Sequence, residues 1–169
     1  MSKEESDFSN NEIHEPKATK PTITGIYEIL EIKDTGECLY HKAFRESEVD
    51  PQLFSGILVA VKDLAREIGM LEIEDISMRS LKKEKAKLRY FFEPGPGCLT
   101  VISADRNVNK AEIREYLLKL HKIFLGKHFQ RVIDNWNGNI SIFEKFDIDI
   151  ENILKESKIP PIPIVTLDF

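Results

Sequence analysis

The sequence has 169 residues, which is enough for one domain with a well-buried core and too few for two. Its formal net charge is −5, whereas a general nucleic-acid binder is strongly basic, so no nucleic-acid partner is expected. Hydrophobic residues make up 41% and charged residues 31%, as in ordinary globular proteins. Cys38 and Cys98 lie far apart in apolar runs, which predicts two buried thiols in a reducing compartment and no disulfide framework.

The N-terminal segment, residues 1–21, is polar and has no apolar periodicity, which predicts a disordered tail. No apolar stretch marks a secretory signal, and none approaches the roughly 18 residues that span a bilayer. Ser2 stands where N-myristoylation needs glycine. We therefore expect a cytoplasmic protein whose contact with membranes, where it has any, is peripheral.

Two strands and a helix come next. Alternating apolar residues predict strands at 24–32 and 37–44, joined in a hairpin by the turn at residues 33–36. A helix begins after Asp50, with Pro51 in its first turn, and ends at Gly69. One apolar face of this helix recurs at spacings of three and four: Phe54, Ile57, Leu58, Val61, Leu64, Ala65 and Ile68.

Three further strands are predicted at residues 71–81, 87–93 and 98–105, separated by a charged tip and by the turn at 94–97. A long helix follows from the capping residue Asn109, with Glu112 three residues later, to about Asp134. A last helix is predicted at 148–156, and residues 159–169 form an extended proline-rich tail. The order is β-β-α-β-β-β-α-α.

Three strands carry apolar residues on both faces, which predicts an α+β fold in three layers. The first helix is expected on one face of an antiparallel sheet and the later two on the other. In strand one, Tyr27 and Ile29 oppose Ile26, Leu30 and Ile32. In strand four, Phe91 opposes Leu88, Tyr90 and Phe92, and in strand five, Leu99 and Val101 oppose Ile102 and Ala104.

The long helix has two apolar stripes that are offset around its axis, and the change falls at Gly126. Either the helix bends there, or its end lies between two surfaces. The second stripe is then covered by the last helix, or it is a surface for a partner. The second stripe consists of Leu125, Phe129, Val132, Ile133 and Trp136.

The element order and these motifs resemble the longin domain, a relative of the roadblock fold, over residues 22–156. The similar segments are ITGIYEILEI, the turn GECL, and SGILVAVKDLAREIG followed directly by a strand. The segment FLGKHFQRVIDNWNGNISIFEKF resembles longin-type proteins of archaea. The resemblance implies a five-stranded antiparallel sheet with one helix on one face and two on the other, in a longin-like domain at 22–158. Residues 159–169 do not resemble a SNARE-type helix or a membrane anchor, so neither is expected.

The resemblance also implies a function. A stand-alone module of this kind is a non-catalytic scaffold in membrane-traffic or GTPase-regulation machinery. Its expected partner is a small GTPase or another longin or roadblock protein, and a homodimer is one form of such pairing.

The residues that carry chemistry give no catalytic set, and neither a cofactor nor a metal is expected. His121 and His128 are about two helical turns apart, too far to share one zinc ion, and surface or edge positions are expected for both. The turn Gly95–Pro96–Gly97 lacks the pattern of a phosphate-binding loop. Asp147 and Asp149 are expected to cap the last helix. The sequence therefore predicts a protein that is not an enzyme.

Two further surfaces are candidates for partner binding. The third strand is an expected sheet edge that carries Ile73, Ile76 and Met78, although these residues can equally be core. The following hairpin is basic and is opposed only by Glu84, so it suits an anionic membrane or an acidic partner, or is merely a solvated hairpin. Its basic residues are Arg79, Lys82, Lys83, Lys85, Lys87 and Arg89.

Overall fold

The computed structural model describes residues 25–45, 49–69, 72–79 and 87–156. The predicted tails at 1–21 and 159–169 lie outside the described residues, as do Lys82, Lys83 and Lys85 of the basic hairpin. The domain limits at 22 and 158 stay predictions for the same reason.

Five strands form one antiparallel sheet in the order β2-β1-β5-β4-β3. Strand β5 lies in the middle and is buried at every position except its last. It begins and ends at the predicted residues, because its side chains are apolar on both faces and sharp turns flank it. The strands are β1 Ile26–Lys33, β2 Cys38–Ala43, β3 Asp75–Arg79, β4 Lys87–Gly95 and β5 Cys98–Asp105.

Helices cover both faces of the sheet, so the predicted three-layer α+β architecture is confirmed. Helix α1 packs on one face, and the helices that follow β5 pack on the other. In chain order these are α1 Pro51–Gly69, α2 Lys110–Phe124, a π-helical segment Leu125–Phe129, α3 Gln130–Asp134, a 3-10 turn Ile140–Phe143 and α4 Phe146–Glu156.

Each face of the sheet has its own core. The faces predicted for β4 and β5 are confirmed, with Tyr90 and Val101 on the α1 side and Phe91 and Ile102 on the α2 side. The prediction for Ile26 is wrong, because it packs on the α2 side. The register of β1 against β5 shifts between Ile26 and Glu28, and such an irregularity moves the preceding side chain to the other face.

The offset between the two apolar stripes has a specific cause. The long helix was predicted as continuous, but it becomes π-helical from Leu125 to Phe129, a segment that includes Gly126. A π turn holds one more residue than an α turn, so it rotates everything after it by about 100°. Ile133 is thereby buried, and Leu125, Val132 and Trp136 pack against the α2-side core. These residues are covered from within the chain.

Helix α4 is fixed by its first turn, where Asp147 and Asp149 lie as predicted. Their carboxylates also join α4 to other elements. Asp147 accepts hydrogen bonds from the Tyr40 hydroxyl and from Lys42, and Asp149 accepts one from Lys127 at 2.7 Å. The hydrogen bond from Tyr40 holds the pKa of Asp147 below its ordinary value. These bonds anchor α4 to β2 and to the π-helical segment.

Phe124 is a fully buried aromatic residue of the α2-side core. Its ring is fully buried, with centroids 5.6 Å from Phe143 and 5.1 Å from Phe146. We predict that Phe124→Ala lowers the free energy of unfolding by about 3–5 kcal/mol, because it leaves a cavity between α2 and α4. Urea denaturation measures this change. Leu118→Ala, on the exposed side of α2, should cost under about 0.5 kcal/mol; equal losses in both variants would contradict the assignment.

Candidate protein-interaction surface

Helix α1 is apolar on two sides, and only one of them is buried. Leu58 and Val59 pack on the sheet. The sequence grouped all the spaced apolar residues of α1 into one face, but five large apolar side chains point away from the sheet, and Leu64 is 59% exposed and Ile68 75%. We call these five residues the α1 stripe: Leu53, Ile57, Val61, Leu64 and Ile68.

The α1 stripe is continuous and nearly symmetric along the helix. Its members follow one another at steps of four, four, three and four residues, so they lie along one side of the helix. Val61 stands near the middle, with two members on either side. From Leu53 to Ile68 the stripe is about 22 Å long, at a rise of roughly 1.5 Å per residue. A stripe of this length is unusual on the surface of a monomer and typical of an interface.

Polar contacts at the beginning of α1 fix which side faces the sheet. The Gln52 side chain donates to the Gly36 carbonyl at 3.2 Å and accepts from the Cys38 backbone N–H at 2.9 Å. Gly36 has a φ of +96°, a conformation that favours glycine, and it lies against Gly56 of the helix. These contacts attach α1 to the β1–β2 turn and leave the α1 stripe turned outward.

Strand β3 is an edge strand that pairs with β4 alone among the described strands. The Phe92 N–H donates to the Glu74 carbonyl, which makes residues 74 and 92 a hydrogen-bonded pair. Hydrogen-bonded pairs alternate in an antiparallel ladder, so Ile76 also directs its N–H and carbonyl to β4. Asp75 and Ser77 direct theirs to the open edge. The edge therefore presents backbone donors and acceptors to another strand.

The three predicted edge residues differ in their surroundings. Ile73 and Ile76 are half-buried and pack against the α1-side core, whereas Met78 is 38% exposed. Ile76 and Met78 pair with Tyr90 and Leu88 of β4, which belong to the same core. The edge is thus partly covered at Ile73 and Ile76 and exposed at Met78.

The basic hairpin is only partly described. Lys87 begins β4, and Arg89 lies in the same strand. The Arg89 guanidinium donates to Asp75 at 2.8 Å and lies over the Phe91 ring at 5.2 Å. Its charge is compensated within the domain, so the membrane-binding alternative depends on the lysines and stays a prediction.

Asp75 fixes the edge strand to its neighbours. It pairs with Arg89 of β4 and, at 2.9 Å, with Lys110 at the start of α2. The hydrogen bond from Arg89 is the main reason that the pKa of Asp75 lies below its ordinary value, and Lys110 adds to the effect. Both contacts favour the carboxylate, so they hold β3 in place at neutral pH.

A buried polar cluster that the sequence pattern did not reveal lies on the other face of the sheet. The prediction that His121 lies at the surface or at an edge is wrong, because it is buried on the side of α2 that faces the sheet. The Thr100 hydroxyl lies 2.7 Å from His121 Nδ1 and donates to Glu31 Oε2 at 2.7 Å. Cys98 is also fully buried nearby. Burial raises the pKa of Glu31 and of the Cys98 thiol and lowers the pKa of His121.

Comparison with known proteins gives similarity of structure alone. No protein-family model matches the chain, and a search of curated proteins finds no match. A Roadblock/LC7 domain from Streptomyces avermitilis is 11% identical, with a TM-score of 0.49 over 62% of this chain and 87% of that one.

Two MglB structures are also similar. One, with a tetrameric arrangement, is 19% identical, with a TM-score of 0.40 over 66% of this chain and 80% of its own. The gliding protein MglB from Thermus thermophilus is 17% identical, with a TM-score of 0.42 over 66% of this chain and 81% of its own. Such values carry no information about activity.

Among the described residues, no helix combines the length and the apolarity needed to cross a bilayer. The five-stranded antiparallel sheet and the helical layers on its two faces are those that the longin resemblance implied. The chain therefore has a fold of the longin and roadblock type.

We predict that Asp75→Asn destabilises the domain by about 1 kcal/mol at pH 7, because it removes the charged acceptor of Arg89. The pKa of Asp75 is lower in the folded chain than its ordinary value of 3.8, so its carboxylate stabilises the fold at pH values above 3.8. This stabilisation is lost as the pH falls through the pKa of Asp75 in the folded chain. The difference between wild type and variant should therefore shrink below about pH 4. Urea denaturation at pH 7 and pH 3.5 measures it, and a difference that grows in acid would refute this role.

Proposed function

We propose that this chain is a non-catalytic interaction module that pairs with a second copy of itself through helix α1 and the edge of β3. The observation that carries the proposal is the α1 stripe, a row of five large apolar side chains exposed on the outer side of α1. Removing such a row from water is favourable, at roughly 25 cal/mol per Å² of apolar surface buried.

The symmetry of the α1 stripe favours a second copy as its occupant. A two-fold interface brings the same surface patch of each subunit together. In an antiparallel helix pair centred near Val61, Leu53 faces Ile68 of the other copy. Ile57 then faces Leu64, so every large side chain meets another apolar side chain. Ala60 beside the centre is small and exposed, which permits close approach of the two helices.

The β3 edge adds a second contact of the same symmetry. Asp75 and Ser77 present their backbone groups outward, so β3 can pair with β3 of a second copy. The two strands would run antiparallel, with the two-fold axis near Ser77. The two five-stranded sheets would then continue into one another. The strand has only five residues, so the apolar contact of α1 supplies most of the stability and the strand sets the geometry.

The resemblance to longin and roadblock proteins supports the wider role. A paired module of this kind would act as a scaffold for a small GTPase or for another longin or roadblock protein. The paired sheet is a rigid platform, and its α2 side stays available to such a partner. Recovery of a GTPase from a pull-down with the dimer tests this part.

We predict that the wild-type chain has twice the mass of a monomer in light scattering and that Leu64→Glu is monomeric. The introduced carboxylate would have to be buried without a partner at the centre of the interface. Leu64 is mostly exposed in the single chain, so its replacement leaves folding intact. Leu118→Glu is the matched control, because that leucine is exposed on α2 and lies outside the proposed surface.

A wild-type chain that stays monomeric across the accessible concentrations would overturn the proposed pairing. If Leu118→Glu dissociated the dimer and Leu64→Glu did not, the interface would not be the α1 stripe.

We further predict that Ser77→Pro weakens the dimer at least tenfold while leaving the monomer folded. The substitution removes an outward N–H and leaves the hydrogen bonds to β4 intact. Equilibrium sedimentation gives the dissociation constant, and Ser77→Thr, which keeps the N–H, is the control. Equal constants for Ser77→Pro and wild type would show that the strand edge is not part of the interface.

A further inference from the structure

We propose that Glu31, Cys98 and His121 form a binding site for one divalent transition-metal ion of the zinc class, which joins the sheet to helix α2. The three residues are buried, and one ligand atom from each lies within 4.8 Å of the other two. They come from β1, β5 and α2, so an ion held by all three ties together elements that are distant in sequence.

The chemistry of the three donors suits zinc. Thiolate sulfur, imidazole nitrogen and carboxylate oxygen are the ligands that Zn²⁺ takes in proteins. A doubly charged cation with one thiolate, one carboxylate and a neutral imidazole forms a site with no net charge. Such a site is compatible with the apolar core around it, where an isolated charge is costly. Three protein ligands leave one tetrahedral position for water.

An unpartnered atom points independently to a ligand. Glu31 is 0% exposed, and its Oε1 is buried without a hydrogen-bond partner, whereas Oε2 accepts from Thr100. A buried polar atom left without a partner costs roughly 1–3 kcal/mol, so native proteins rarely contain one. Metal coordination would satisfy this oxygen.

The backbone around His121 is adapted to hold its ring. A Cβ on Gly95 would overlap the imidazole, so only glycine admits the ring at this point of β4. The Thr100 hydroxyl contacts both His121 and Glu31 and can orient them, as hydrogen-bonding groups around a metal site commonly do. The π-helical segment begins four residues after His121, and such segments are frequent at functional sites.

The test is metal binding by the full-length, reduced chain after treatment with a chelator and desalting. Addition of Co²⁺ should give the near-ultraviolet charge-transfer band of a thiolate ligand, saturating at one equivalent and displaced by Zn²⁺. Zinc in excess should raise Tm by about 5 °C or more, because it binds the folded chain alone.

Two cysteine variants make a matched pair. Cys98→Ser should abolish the charge-transfer band and weaken zinc binding by about 100-fold or more, since it removes a ligand. Cys38→Ser should leave both unchanged, because Cys38 lies on the α1 side and its Sγ contacts the Tyr40 carbonyl. Glu31→Gln keeps the size of the side chain and should also weaken binding, so the site remains testable if Cys98→Ser fails to fold.

The absence of a one-equivalent cobalt complex in the wild-type chain would overturn the proposal and leave the cluster a hydrogen-bonded part of the core. A thiolate band that survives in Cys98→Ser, or that disappears in Cys38→Ser, would do the same.

Discussion

Burial of the central strand β5 on both faces is the constraint on which the rest of the structure depends. Seven of its eight residues are buried, so each side of the sheet needs a helical layer. Three helices and a 3-10 turn cover the α2 side of the sheet. A single helix covers the α1 side, and it contributes two fully or largely buried apolar side chains, Leu58 and Val59. The asymmetry leaves apolar surface on α1 for association.

The sequence predicted the fold because its main signals are local. Alternation in β4 and β5 and the caps of α1 and α2 depend on neighbouring residues, so the element order and layers could be read directly. Ile26 was predicted on the wrong face of the sheet, because the shift in register next to it depends on the neighbouring strand β5 and not on local sequence. The π-helical segment left a trace in the sequence as a change of stripe at Gly126, but the spacing of the apolar residues does not show which change of helix geometry produces it.

The two sites were harder to predict, for different reasons. The apolar residues of α1 span so much of the helix that spacing alone does not separate Leu58, which is buried, from Leu64, which is exposed. The distinction depends on where the helix lies on the sheet. The buried cluster joins residues 31, 98 and 121, which have no sequence spacing in common. In the sequence, the only sign of a metal site was the pair His121 and His128 on one predicted helix. The residues that surround His121 come instead from β1 and β5.

The two proposed sites lie on opposite faces of the sheet, which separates their physical roles. The outer side of α1 is exposed and apolar, as association requires, whereas the polar cluster on the α2 side of the sheet is buried. An ion held there would strengthen the attachment of α2 to the strands and leave the exposed side of α1 unchanged. Pairing of two copies should therefore be insensitive to chelators, and metal affinity should be the same in monomer and dimer. Strands β1 and β5 contribute to both cores and to the metal-binding cluster. Coupling between metal binding and pairing would therefore require these two strands to transmit a structural change through a sheet that is packed on both faces.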